Sequence, residues 1–209
     1  FFFKQKTAYE IMPSLVGSED VYKRQAKYQR FEDLRRYCYR VASTVGLCLV
    51  EIYGYNDPNA RRHAVEMGIY LQMVNVLRDI QEDLSRNRIY LPTDELSKFG
   101  ITEAQLKSGE LSSSVGWQEF MRHYLDHVMA HRKNAVGLLS LLDKDARYSP
   151  SLMCAAYDAI LEEAMKRNGD VFTSSSGEAT ASRPDFRGIH ILQSPENSPQ
   201  GRLIRERNI

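Results

Sequence analysis

An all-α bundle forming a single domain is the fold class this sequence predicts. Apolar residues recur every three to four positions through most of the chain, the helical period. No stretch shows the strict alternation and hairpin-type turns that mark strands. Capping residues and Gly or Pro stops fall at the ends of the periodic stretches.

The elements follow in chain order. Over 31–53, Leu34, Tyr37/Cys38, Val41, Val45, Leu49 and Ile52/Tyr53 repeat at helical spacing and predict one amphipathic helix. Asp57 and Pro58 read as an N-cap followed by Pro at the first helical position, opening a second helix over about 59–83. Pro92 limits it from behind, because the residue before a proline is pushed out of the helical region. Gly100 punctuates next. Thr102 and Gln105 have the spacing of a capping box for a short helix. A long helix is predicted over 117–142, with Phe120, Tyr124, Val128, Leu138 and Leu142 on or near one face. Ser149 and Pro150 open the last helix, which runs through Leu152, Ala156, Ile160 and Ala164 towards Asn168 and Gly169. From Thr173 onward the period is lost in Ser, Gly, Pro and scattered charge, which reads as a disordered or divergent tail over 173–209.

Composition narrows the function classes. The 209 residues suit one domain. With 28 Lys+Arg against 27 Asp+Glu the net charge is +1, which argues against a basic nucleic-acid binder. No apolar run approaches the ~18 residues of a membrane-spanning helix. Three scattered cysteines, Cys38, Cys48 and Cys154, lack a CxxC pair, so reduced thiols in a cytoplasmic protein are expected. Cys38 and Cys48 are expected in the core.

Residues 1–25 stand apart. They have neither a helical nor a strand period, nor the order of a signal peptide. Lys4 to Glu10, Ser14 to Glu19 and Asp20 to Gln25 resemble translated sequencing-adapter stretches. The segment is therefore expected to be non-native, with the protein's own sequence starting at Ala26. Removing it leaves 24 charges of each sign and a net charge of zero.

The chemistry sits on the second helix. Gln72, Asn75, Asp79 and Asp83 follow one another at steps of three, four and four residues, on one helix face. Met67, Ile69, Leu71, Met73, Val74, Val76, Leu77 and Ile80 make the rest of the helix apolar, and a helix apolar nearly all round is buried. Burying amides and carboxylates is costly without compensation. A hard divalent cation such as Mg²⁺ supplies it, since it accepts carboxylate and phosphate oxygens together. Such an ion can bridge protein carboxylates to a diphosphate and make it a good leaving group. Arg78, Arg86 and Arg88 are placed to help hold diphosphate oxygens. A DxxxD spacing alone is common on solvated helices; the apolar surroundings and the aligned amides favour the metal reading.

Two further segments have bland explanations. Ala42, Ser43 and Gly46 would let a helix or an apolar ligand approach closely, and close helix packing explains them equally well. His123, His127 and His131 fall at i, i+4 and i+8, but without an HExxH arrangement they read as a partly exposed helix face.

Together, YCYRVASTVG at 37–46 and MGIYLQMVNVLRDIQEDLSRNRIYLP at 67–92, with its DxxED at 79–83, resemble the two signatures of the squalene/phytoene synthase family. The likeness continues through DELSKFGI and the last helix, covering 26–172. It implies an isoprenoid-synthase-type helical bundle with a central cavity. The reaction implied is Mg²⁺-dependent (Mn²⁺ being an alternative) head-to-head joining of two prenyl diphosphates, farnesyl or geranylgeranyl, through a cyclopropylcarbinyl diphosphate. By position, Asn75, Asp79 and Asp83 would be metal ligands, with Glu82 among them and Gln72 supporting on the substrate side. Arg78 would contact diphosphate. Tyr37 and Tyr157 would face the reacting centre. Val41, Ala42, Val45 and Gly46 would line the prenyl channel, and Arg40 would bind substrate beside them.

The family's first aspartate-rich motif precedes its first signature, and none lies between Ala26 and Tyr37. The chain is thus expected to be an N-terminally truncated fragment, inactive alone. A non-catalytic helical scaffold is the competing reading. NADPH enters only if the product is squalene. Prenyl chain length, final product and oligomeric state are left open. A lipid product is compatible with peripheral membrane contact, although no basic amphipathic anchor is evident.

Overall fold

The computed structural model describes residues 28–109, 111, 114–167 and 170. The boundaries expected at Ala26 and around 168–173 therefore lie at or outside the edges of the described residues. Every regular element among the described residues is helical. One isolated bridge, Tyr55 to Leu142, ties two loops.

Helix α1 (Phe31–Cys38), a π-helical turn (Tyr39–Ser43) and α2 (Thr44–Tyr53) follow without a gap, which matches the single helix expected over 31–53. The π turn has a local cause. Ser43 is fully buried, and its hydroxyl donates to the Val65 carbonyl at 2.8 Å. A Cβ added at Gly68 would stand 2.5 Å from the Ser43 Cα, so only glycine permits this crossing. The wider turn sends the Thr44 N–H back to Tyr39 O. The Arg40 carbonyl, freed by that shift, accepts from the Thr44 hydroxyl at 3.0 Å.

Helix α3 (Asn59–Arg78) is the central element, packed by the π turn, α2, α7, α8 and α9. Asp57 caps it as expected, its carboxylate accepting the Asn59 N–H at 2.8 Å. The expected continuation to 83 is interrupted. Asp79 leaves helical geometry (φ −96°, ψ 9°), and α4 (Ile80–Ser85) starts after it. Asn87, at φ 56°, then turns the chain towards the buried Leu91 and Pro92.

Helix α5 (Thr93–Lys98) is too short to show a period in the sequence. Helix α6 (Glu103–Ser108) carries the expected reciprocal capping box between Thr102 and Gln105. The long helix expected over 117–142 divides into α7 (Val115–Ala135) and α8 (Leu138–Leu141). His63 explains the division. Its Nδ1 lies 2.5 Å from the Asn134 carbonyl, the acceptor a continuing helix would give to Leu138. Its ring also occupies the space where a side chain on Gly137 would stand.

A 3₁₀ turn (Lys144–Ala146) leads into α9 (Tyr148–Lys166), which begins before the Ser149 cap expected from sequence. Its inner face also differs from expectation. Pro150, Cys154 and Leu161 are buried, whereas Leu152, Ala156, Ile160 and Ala164 are only partly so. The core centres on Trp117, Tyr70, Tyr124 and Phe120, all fully buried, with the Tyr124 hydroxyl donating to Met73 O at 2.9 Å.

All three cysteines are free. Cys38 and Cys154 are buried, and burial pushes each thiol up to about 12. Cys48 is exposed, contrary to the core position expected. Gly46, which lies against the Ala64 carbonyl, and Val50, which is buried, turn their face of α2 inwards and Cys48 away.

Candidate metal and diphosphate site

The polar stripe of α3 and α4 is half-buried, as the apolar helix around it requires. Asn75 donates through Nδ2 to Gln72 Oε1 at 3.3 Å. Its Oδ1 is buried and has no hydrogen-bond partner. An orphaned buried acceptor costs roughly 1–3 kcal/mol unless a cation or a donor meets it.

One turn on, Arg78 forks onto its neighbour Asp79, with Nε–Oδ1 at 2.7 Å and Nη2–Oδ2 at 2.8 Å. Adjacent residues in a regular helix point about 100° apart. The break at Asp79 is what lets the two meet. Tyr157, from α9, adds a smaller electrostatic influence on the same guanidinium. Asp79 therefore stands with its charge balanced by Arg78.

Asp83 lines a narrow pocket with Val76, Ile80, Leu84, Arg88, Ile89 and Tyr90. Burial, then repulsion from Asp79 and Glu82, pushes its carboxyl up to about 6 against the pull of Arg88 and Arg86. A carboxylate so strained in charge is a site short of positive charge. Glu82 is placed otherwise. It is 58% exposed and pairs with Arg86 at 2.6 Å, on the solvent side of α4. Among the described residues no three His, Cys, Asp or Glu side chains converge on a metal centre. The oxygen groups the stripe presents are the two aspartates and the Asn75 amide oxygen.

The other expected site residues divide. Tyr37 stacks in an aromatic cluster, 4.9 Å from the Tyr90 ring and 5.3 Å from Tyr28. Tyr90 joins that cluster to the Asp83 pocket. Val41 and Ala42 are half-buried on the π turn, while Arg40 is exposed and Val45 is 52% exposed. Gly46 packs against backbone, its missing Cβ 3.1 Å from Ala64 O. Close helix packing, one of the two explanations open for Gly46 and Ser43, is what the contacts show. The three histidines of α7 are partly exposed, as expected. His131 Nδ1 meets Glu66 at 2.7 Å, and His127 stacks on Phe31 at 3.8 Å.

One cluster escaped the sequence reading. Asp158 accepts from Arg132 Nε and Nη2, each at 2.6 Å, and from the Tyr70 hydroxyl at 2.6 Å. Burial opposes the Asp158 carboxylate, but these hydrogen bonds and the guanidinium charge outweigh it and hold its carboxyl below the usual range. Desolvation and the Asp158 hydrogen bond raise the Tyr70 phenol. Nothing in the sequence signalled it, because the inner face of α9 is not the one its apolar period suggests.

Known proteins supply the remaining context. The squalene/phytoene synthase family profile matches residues 17–185. That span starts before Ala26 and runs past Phe172, the limits of the resemblance read from the motifs. A 15-cis-phytoene synthase from Synechococcus elongatus is 36% identical over 160 residues, 71% of this chain and 51% of that protein. Phytoene synthase 1 from Arabidopsis thaliana is 32% identical, over 72% of this chain and 36% of that protein. A squalene synthase from Alicyclobacillus acidocaldarius superimposes with TM-score 0.65 at 27% identity, over 71% of this chain and 56% of its own. This chain spans about half the length of the first of these relatives. Among the described residues no helix is long and apolar enough to cross a membrane. On the profile match, with both signatures in place on a helical fold of the same kind, the chain belongs to the squalene/phytoene synthase family.

Proposed function

We propose that this chain carries one metal–diphosphate half-site of a prenyltransferase that joins two prenyl diphosphates head to head through a cyclopropylcarbinyl diphosphate. The observation that carries the reading is the buried, unpartnered Asn75 Oδ1, in line with Asp79 and the charge-stressed Asp83. The relatives' names support the reaction class.

The donor chemistry fits Mg²⁺, or Mn²⁺ in its place. Asn75, Asp79 and Asp83 offer hard oxygens that would hold such an ion together with water and diphosphate oxygens. Bound there, the ion would offset the negative charge that develops on a departing diphosphate. The protein's own part is positional. Arg78 neutralises Asp79 and presents its remaining N–H groups beside it. Arg88 lies against Asp83 in the same pocket. Tyr37, Tyr90 and the half-buried Val41 and Ala42 provide aromatic and apolar surface, which shields a prenyl cation from water. Farnesyl and geranylgeranyl diphosphate remain equal candidates, and a nicotinamide cofactor enters only for a reduced product.

One stripe holds a cation but does not clamp two diphosphates. The polypeptide alone is expected to bind Mn²⁺ with inorganic pyrophosphate and to form little or no prenyl product. Manganese titration followed by electron paramagnetic resonance tests the first part. Incubation with farnesyl and geranylgeranyl diphosphates plus Mg²⁺ tests the second. Absence of pyrophosphate-dependent Mn²⁺ binding counts against the half-site. Efficient product formation shows that one stripe suffices.

A further inference from the structure

The end of α4 returns the chain over Asp83 in a way that helical spacing does not. In a continuing helix the neighbours of Asp83 would be Arg86 and Asn87, three and four residues on, while Arg88 would leave the axis about 140° away. The structure pairs them otherwise. Arg86 is taken by Glu82 at 2.6 Å. Arg88, half-buried, lines the same narrow pocket as Asp83. The cause is a Schellman closure of the helix. The Asn87 N–H donates to Leu84 O at 2.9 Å and the Arg88 N–H to Asp83 O at 2.8 Å, with Asn87 in the left-handed region at φ 56°. Such a closure commonly joins two apolar side chains, from the third residue before the helix end and the third beyond it. Here those two positions hold an aspartate and an arginine.

The same reversal carries Tyr90 onto Tyr37, with ring centroids 4.9 Å apart. Beyond it Leu91 is buried and the Thr93 N–H donates to Tyr28 O at 2.9 Å, so the far end of the strap is anchored. Asn87 itself is exposed, and among the described residues it is the one non-glycine with positive φ. Its backbone conformation, rather than its packing, is what the strap depends on. We propose that Asn87 is a positioning residue for the diphosphate site: its left-handed turn folds the chain back over α4 and brings Arg88 to Asp83 and Tyr90 to Tyr37. The inference rests on the half-site reading for its functional meaning, and the turn itself is tested separately.

Three substitutions remove the same side chain and differ in how they tolerate this conformation: Asn87→Gly freely, Asn87→Ala with strain and Asn87→Val with more. Mn²⁺ affinity of the full chain in the presence of inorganic pyrophosphate is expected to stay within about twofold in Asn87→Gly and to fall about tenfold in Asn87→Val, with Asn87→Ala between them. In an Arg88→Gln background Asn87→Val is expected to add less than about twofold, because the two changes act through one side chain. Fluorotyrosine at position 90 reads the turn without metal. Tyr37→Leu gives the ¹⁹F shift of a lost stack, and Asn87→Val is expected to reproduce it while Asn87→Gly does not. Equal losses of affinity in Asn87→Gly and Asn87→Val, a loss undiminished by Arg88→Gln, or a resonance unmoved in Asn87→Val overturns the proposal. Failure of the unaltered chain to bind Mn²⁺ and pyrophosphate would instead count against the half-site, and the resonance would still decide the turn.

Discussion

Asn75 shows how one side chain can be poor for folding and good for a site. Its Oδ1 is buried without a partner, while Nδ2 keeps a 3.3 Å bond to Gln72. Replacing it by Ala removes both the orphan and that weak bond. Asn75→Ala is therefore expected to leave stability unchanged or raise it by up to about 1 kcal/mol, while pyrophosphate-dependent Mn²⁺ affinity falls at least tenfold. Chemical denaturation and manganese titration on the same sample check the pair of outcomes. A large loss of stability would show that the amide is a structural group. Glu82 makes the opposite point. It lies within the DxxED motif, yet its carboxylate is occupied by Arg86 on the solvent side. Glu82→Gln is expected to change Mn²⁺ affinity by less than threefold, because surface ion pairs contribute little.

Elements here are shaped by their contacts as much as by their own residues. The π turn at Tyr39–Ser43 exists because Ser43 and Gly68 bring two helices into backbone contact. A methyl at Gly68 meets Ser43 Cα and N at 2.5 and 2.6 Å, and backbone cannot swing aside. Gly68→Ala is expected to cost about 1–3 kcal/mol, read as a lower denaturation midpoint with an unchanged slope. The capping box of α6 is a local device by comparison. Thr102→Ala is expected to cost about 1 kcal/mol, with the loss confined to amide protection in α6 if that helix frays alone. Only one of the two carries a clear sign in the sequence. The capping box was legible because its partners are three residues apart. The glycine crossing was not, because its partner lies 25 positions away in the chain.

At the scale of the whole molecule, the Asp158 clamp ties α3, α7 and α9 together. Its carboxyl is held below the ordinary value near 3.8. A carboxyl lowered in the folded state stabilises the protein above its unfolded value, and that contribution is lost as pH falls through the folded one. At neutral pH Asp158→Asn is expected to cost about 2 kcal/mol, the worth of hydrogen bonds to a charged group. Below about pH 3.8 the difference between the two proteins is expected to shrink, because the unfolded carboxyl takes up its proton before the native one does. Thermal midpoints of both between pH 6 and pH 3 check this. A gap that stays constant with pH would show that the clamp's contribution is packing, not charge.

What the sequence by itself determined was local. Period, caps and breakers are read within a few residues, and they specified an all-helical chain, most helix spans and the polar stripe at Gln72, Asn75, Asp79 and Asp83. The two signature segments specified the family. Only the tertiary structure decided what depends on distant neighbours. His63 divides the long helix at Gly137, and the Ser43 crossing widens a turn. Asp79 breaks the stripe's helix so that Arg78 can reach it, and Glu82 stands exposed and paired with Arg86. Arg132, Tyr70 and Asp158 lie far apart in the chain, and nothing in their spacing marks them as a cluster. Helical period constrains which face a side chain occupies; packing alone determines what that face meets.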